Sequence, residues 1–283
     1  KWFKAAKIWN TYWTALWNLT YGVDMWNQRT QMMDNNPTDH EIAFNFFTKY
    51  AGFKEPSKSL GAWVAFRDDL DGADLERFPE SEYGPYNNGD NPERLNNIAQ
   101  KFQEFGARQD DPDHFYKDAG SIMRYQNGLN DVMSDVFRGN YGLYLHQIDA
   151  NHTSQGYWRI GQKHEPYGRF ARGVNHDEGK NAILLDIEDS FFDGEPLSGA
   201  YPVMVNIIFF DSGTGRWELR YDSKDNEDKV GLSVENSNTN RWITASVFLK
   251  DAYFGNRGTA GSDISIVNAD SLDNIFHMVE ITR

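Results

Sequence analysis

The feature that most constrains this chain is a change of hydrophobic period near residue 165. Beyond it, apolar and polar residues alternate. The runs NAILLDIED, YPVMVNIIFFD, RWELRYD, KVGLSVEN, RWITASVFLKDAYF, SDISIVNA and NIFHMVEITR all lie between residues 181 and 283. Alternation puts every second side chain on one face of an extended strand. Gly, Asn, Asp and Ser separate the runs, and each of these favours turns. The pattern predicts an antiparallel β-sandwich over residues 166–283. DSGTGRW, between two of the runs, reads as a hairpin turn.

Before residue 165 the apolar spacing is three and four. Trp2, Ala6, Trp9, Trp13 and Leu16 form one stripe of an amphipathic helix, with Gly22 as its stop. PTDHEIAFNFFTKYAGF reads as a second helix, capped by Thr38 or Asp39 and closed by Gly52. NPERLNNIAQKFQEFGA and SIMRYQNGLNDVMSDVF read as a third and a fourth. The expected fold class is α+β multidomain, a mainly helical part over residues 1–165 followed by the antiparallel sandwich.

Composition narrows the partners. The formal charge of −14 argues against nucleic acid and anionic membranes, which need clustered Lys and Arg. Nine Trp in a chain that is 15% aromatic, together with the acidic excess, suit neutral sugars. Aromatic faces stack on C–H surfaces, and carboxylates accept hydroxyl protons. The absence of Cys excludes disulfides and thiolate metal sites. No apolar run is long enough to span a membrane. The start, KWFKAAKIWN, has neither Met nor a signal pattern, so a removed leader or a longer parent chain is expected.

The acidic stretch FRDDLDGADLERFPE invites a calcium reading and fails it. Aligned on Gly72, Asp69 and Asp71 fit an EF-hand, but Arg67 and Phe78 stand at its first and twelfth positions. Adjacent acids with Arg67 and Arg77 read as a charge-paired connector. The seven His show no metal-ligand spacing, and His277 reads as a satisfied core or edge residue. In the sandwich, Trp217 and Trp242 have two readings, core packing or an outward sugar-stacking platform. Asp186, Glu188, Asp189 and Asp193, with Asp251 and Asp263, offer oxygen ligands for a structural calcium. No other cofactor is suggested.

LTYGVDMWNQR, GAWVAFRDDLDGADLERFPESEYG, GNYGLYLHQID, TSQGYWRIG, YGRFAR and the closing WITASVFLKDAYFGNRGTAGSDISIVNADSLDNIFHMVEITR resemble the C-terminal half of large secreted bacterial glycoside hydrolases. The resemblance implies the end of a (β/α)8 barrel followed by an accessory β-sandwich. It implies a secreted, periplasmic or cell-surface protein acting on polysaccharide or oligosaccharide. The main catalytic carboxylates would lie upstream, in a missing barrel segment that partners this one. On that reading GVDMWNQR ends a barrel strand: Trp26 stacks on a sugar, and Asp24, Asn27 and Arg29 bond its hydroxyls. On the other reading it is a helix terminus, with Trp26 in the core and Asp24 as a cap. Within this chain, Asp24 and the Asp68–Asp74 segment are the places to look for chemistry. The alternative to a hydrolase portion is a non-catalytic carbohydrate-binding or structural module.

Overall fold

The computed structural model describes residues 8–26, 37–66, 140–160, 169–195 and 198–283. Three α-helices are described, α1 (Ile8–Thr20), α2 (Pro37–Tyr50) and the single turn α3 (Ala150–Thr153). The first five strands are β1 (Gly61–Ala65), β2 (Tyr141–Leu143), β3 (Leu145–Ile148), β4 (Gln155–Ile160) and β5 (Arg169–Gly173). Then come β6 (Ala182–Ile187), β7 (Tyr201–Asp211), β8 (Arg216–Tyr221) and β9 (Lys229–Glu235). The last are β10 (Arg241–Ala252), β11 (Ile264–Asn268) and β12 (Ile275–Thr282).

The strands form two sheets. One runs β10–β7–β12–β1–β2, with β5 also on β12 and β4 on β5; the other runs β3–β6–β11–β8–β9. Each strand-to-strand pairing is antiparallel. Between them lies the main core. Val203, Val205, Ile207, Phe276, Val279 and Ile281 of the first sheet meet Ile183, Leu185, Trp217, Leu219, Ile264 and Ile266 of the second. This is the two-layer packing that period-two runs require.

The expected sandwich strands are present as β6–β12. The expected helical barrel end is not supported. Strands β1–β4 lie before residue 165 and join the same two sheets, and α1 and α2 pack on the outer face of the first sheet. Ala15, Leu16, Leu19, Ala43, Phe47 and Tyr50 of the helices cover Trp63, Ala65, Tyr141 and Met278. β1 therefore has the sandwich core on one face and the helices on the other, and all five of its residues are buried. A strand buried on both faces has no alternation to read. The third and fourth expected helices lie outside the described residues, as does the acidic stretch beyond Phe66.

DSGTGRW is not a hairpin. β7 pairs with β10 and β12, whereas β8 pairs with β9 and β11, so residues 212–215 carry the chain from one layer to the other. Both strands already have two neighbours in their own sheets, which leaves no edge for them to pair along.

Candidate functional site: a cleft at the helix ends

Helix α1 ends in a Schellman motif. The Gly22 N–H donates to the Leu19 carbonyl at 3.0 Å and the Val23 N–H to the Asn18 carbonyl at 2.9 Å. Gly22 takes the left-handed conformation this needs, with φ of 69°. Helix α2 closes in a related way, with Gly52 at φ of 84° and the Ala51 N–H donating to the Phe47 carbonyl. Both expected stops are thus in place. The two turns release the chain side by side, against the corner between β2 and β3.

A cleft of about 430 Å³ opens where these ends meet, within the range of small-ligand sites. Leu19, Val23 and Leu143 line it with Tyr21, Tyr50, Phe53 and Tyr144, beside Thr20, Asp24 and Lys54. Tyr21 is 59% exposed, with Trp17 against it at 5.4 Å between ring centroids. The Tyr144 hydroxyl donates to the Phe53 carbonyl at 2.6 Å, tying the β2–β3 corner to the chain after α2. Burial, then the Glu188 and Glu55 charges, raise the pKa of Tyr144, so its hydroxyl stays protonated. The Thr20 hydroxyl donates to the Leu16 carbonyl and accepts from the Gly142 N–H at 3.2 Å. Lys54 pairs with Asp24 at 2.7 Å, and both side chains are exposed. Such a pair contributes on the order of 0–1 kcal/mol, so ligand hydroxyls can replace it at small cost. A second cleft, about 260 Å³, lies among the loops that carry His176, Asp177, Thr214 and Asp273. No Phe, Tyr or Trp is among the described residues lining it.

Of the residues expected to hold substrate, Asp24 lines the cleft. Trp26 does not. It is half-buried against α2, with its ring 5.4 Å from Phe47 and 6.4 Å from Phe44. Asn27 and Arg29 lie outside the described residues. Trp217 is 0% exposed between the sheets, edge-on to Phe209 and Phe276, which excludes stacking on a ligand. Trp242 sits on the outer face of the first sheet. Its Nε1 donates to the Ile160 carbonyl at 3.0 Å, and the Arg169 guanidinium lies 5.5 Å from its ring. His277 is buried, with its Nε2 2.7 Å from the Tyr12 hydroxyl, as a satisfied core histidine requires.

The calcium ligands do not assemble. No group of three or more His, Asp or Glu arranged to hold a metal occurs among the described residues. Asp263 Oδ2 accepts from the Ile187 N–H at 3.0 Å and Oδ1 from the Asn256 N–H at 2.9 Å. Burial pushes its pKa up to about 7, against those two hydrogen bonds. Asp186 hydrogen-bonds Asp263, and burial followed by the Asp189 charge raises its pKa too. Burial that favours the protonated form of both carboxyls works against a cation site. Asp189 accepts from the Asn256 side chain at 2.8 Å, Glu188 is exposed, and Asp251 is taken by Tyr221 and Lys229.

Sequence reasoning missed Tyr21, Phe53, Lys54 and Tyr144. Tyr21 and Phe53 each sit one residue from a helix-ending Gly, and that adjacency was the available signal. Tyr144 carries no such mark, because its place depends on the pairing of β2 with β1, two strands far apart in the chain.

No family model matches the chain, and no curated protein does. Among solved structures, the CBM22-1–GH10 modules of xylanase 10B from Clostridium thermocellum, complexed with xylohexaose, align at 16% identity and a TM-score of 0.30. That alignment covers 50% of this chain and 26% of the other, so the chain spans about a quarter of that structure. The C-terminal CBM6 of LamC from Zobellia galactanivorans aligns at 12% identity and a TM-score of 0.23, over 50% of this chain and 90% of its own. A carbohydrate binding module of Cellvibrio mixtus lichenase 5A, in complex with cellotriose, aligns at 10% identity and 0.22, over 50% and 87%.

Proposed function

We propose that this chain is a non-catalytic carbohydrate-binding module that takes neutral polysaccharide or oligosaccharide in the helix-end cleft. The observation that carries the reading is the exposed Tyr21 ring over a cleft that also offers Phe53, Tyr144 and the Asp24–Lys54 pair. Aromatic rings supply apolar faces for sugar C–H surfaces. A few polar groups set the orientation of the hydroxyls. Glycoside hydrolysis instead needs two carboxyl groups about 5–9 Å apart across the scissile bond. Among the described residues lining the cleft Asp24 is the one carboxylate, and its charge is matched by Lys54. That favours binding over hydrolysis. A polysaccharide ligand goes with a secreted or surface-exposed protein, and attachment to a polysaccharide-degrading enzyme is the context in which such a module serves.

Isothermal titration of the full chain tests the reading, with soluble xylan, laminarin, mixed-linkage glucan and hydroxyethyl cellulose as probes. One of these should bind, and Tyr21→Ala should weaken it about tenfold, which is ~1.4 kcal/mol. Tyr21→Ala leaving every affinity unchanged would reject the cleft as the site. No heat with any of the four polymers would reject the function.

A further inference from the structure

We propose a second glycan subsite on the outer face of the first sheet, at its β10 edge; this rests on the carbohydrate-binding reading above. The register builds it. Glu280 stands opposite Asn206, and Asn206 opposite Ser246, so the three form one outward row across β12, β7 and β10. In the next row Met204 stands opposite Phe248. That row is open: Phe248 is 53% exposed and Met204 37%. β10 lies at the end of the strand order, so the sheet ends beside Phe248.

The polar row is a continuous hydrogen-bonded ladder. The Ser246 hydroxyl donates to Asn206 Oδ1 at 2.7 Å, and Asn206 Nδ2 donates to Glu280 Oε2 at 3.2 Å. Lys49 Nζ donates to Glu280 Oε1 at 2.8 Å, and the Tyr50 hydroxyl donates to the same oxygen. The ladder orients each group and still leaves hydrogen-bonding capacity, in the ammonium protons of Lys49, the second amide proton of Asn206 and the lone pairs of Ser246. Residues two apart along a strand are about 7 Å apart, so Phe248 lies roughly one sugar ring from this row.

An aromatic face beside a fixed row of donors and acceptors matches a pyranose, which has an apolar face and a hydroxyl rim. An anionic ligand would face Glu280 in a chain of charge −14. A protein partner needs about 800 Å² on each side, and two exposed apolar side chains fall well short of that. Tyr50 lines the helix-end cleft while its hydroxyl joins the ladder, so one side chain borders both sites.

The test compares the full chain with Phe248→Ala, Tyr21→Ala and the double variant, titrated with the same four polysaccharides. Circular dichroism verifies folding, and Ser246→Ala serves as a second probe of the row. The expected result is a fivefold or greater loss of polymer affinity for Phe248→Ala, with a further loss in the double variant. Wild-type affinity in both Phe248→Ala and Ser246→Ala, alongside weakened Tyr21→Ala, would overturn the second subsite and leave the cleft standing. A loss confined to Phe248→Ala would uphold the sheet face and overturn the cleft. No binding by the wild type would overturn both.

Discussion

Asp263 should make the chain less stable as pH rises through neutrality, and Asp186→Asn should remove a part of that loss. Asp263 is 1% exposed, lies next to Asp186, and ionises only near pH 7 because burial disfavours its charge. In the unfolded chain an Asp ionises near pH 3.9. The folded state therefore binds the proton more tightly. This group's contribution to stability is fully present below about pH 3.9 and is lost as pH rises through about 7. Each pH unit in that window costs about 1.4 kcal/mol, on the order of 4 kcal/mol across it. Other carboxylates act in the opposite direction. Burial raises the pKa of Asp211, but hydrogen bonds from Thr239, Ser237 and Asn238 outweigh it and lower the net value. The stability Asp211 contributes is lost as the medium becomes acidic.

Asn at position 186 keeps a hydrogen-bonding partner for Asp263 and removes the facing charge. Urea unfolding followed by Trp fluorescence, at half-unit steps from pH 4.5 to 7.5, gives both stability curves. The variant should match the wild type near pH 4.5 and exceed it by ~1–2 kcal/mol near pH 7.5. The difference between the curves isolates the carboxyl pair from the other titrating groups. A difference that does not change with pH would refute the reasoning.

Trp217→Ala should cost about 3–5 kcal/mol in urea unfolding, because the indole fills the space between the sheets, and its folded fraction should bind polysaccharide with unchanged affinity. Weakened binding by the folded fraction would reinstate Trp217 as a ligand contact. Tyr50→Phe should destabilise by about 1.5–3 kcal/mol, since its hydroxyl donates to the Glu280 carboxylate. Burial and then that carboxylate raise the Tyr50 pKa strongly, so the loss should be equal at pH 6 and pH 9. A Tyr50→Phe variant as stable as the wild type would show that Lys49 and Asn206 satisfy Glu280 unaided.

What was legible in the sequence follows from how many faces each strand buries. In β7, Val203, Val205, Ile207 and Phe209 turn inward while Met204, Asn206 and Ile208 face out, and that alternation is written into YPVMVNIIFFD. GAWVA carries no such contrast, because Trp63 and Ala65 meet the helices while Ala62 and Val64 meet the sandwich core. β2 and β3, at three and four residues, are too short to show a period at all. The helical spacing matches α1 from Ile8 to Thr20, while Trp2 and Ala6 of the stripe lie outside the described residues and the barrel architecture is not supported. An amphipathic stripe specifies that a helix buries one side. It does not specify whether a barrel or a sheet face receives it.

Residues adjacent in the chain need not share a site, and the residues of one surface need not be adjacent. Asp186, Glu188 and Asp189 crowd together in sequence, yet Asp186 is half-buried, Glu188 is exposed and Asp189 accepts from the Asn256 side chain. Tyr21, Phe53 and Tyr144 come from three separate segments, and Ser246, Asn206 and Glu280 from three strands. Short-range clustering of one residue type is what a linear reading detects. A carbohydrate surface needs mixed chemistry, an apolar ring beside donors and acceptors, and in this chain tertiary pairing alone brings those kinds together. The helices serve that purpose as much as they serve the core. By covering β12, β1 and β2 they leave the Met204–Phe248 row exposed, and their ends supply the rim of the cleft.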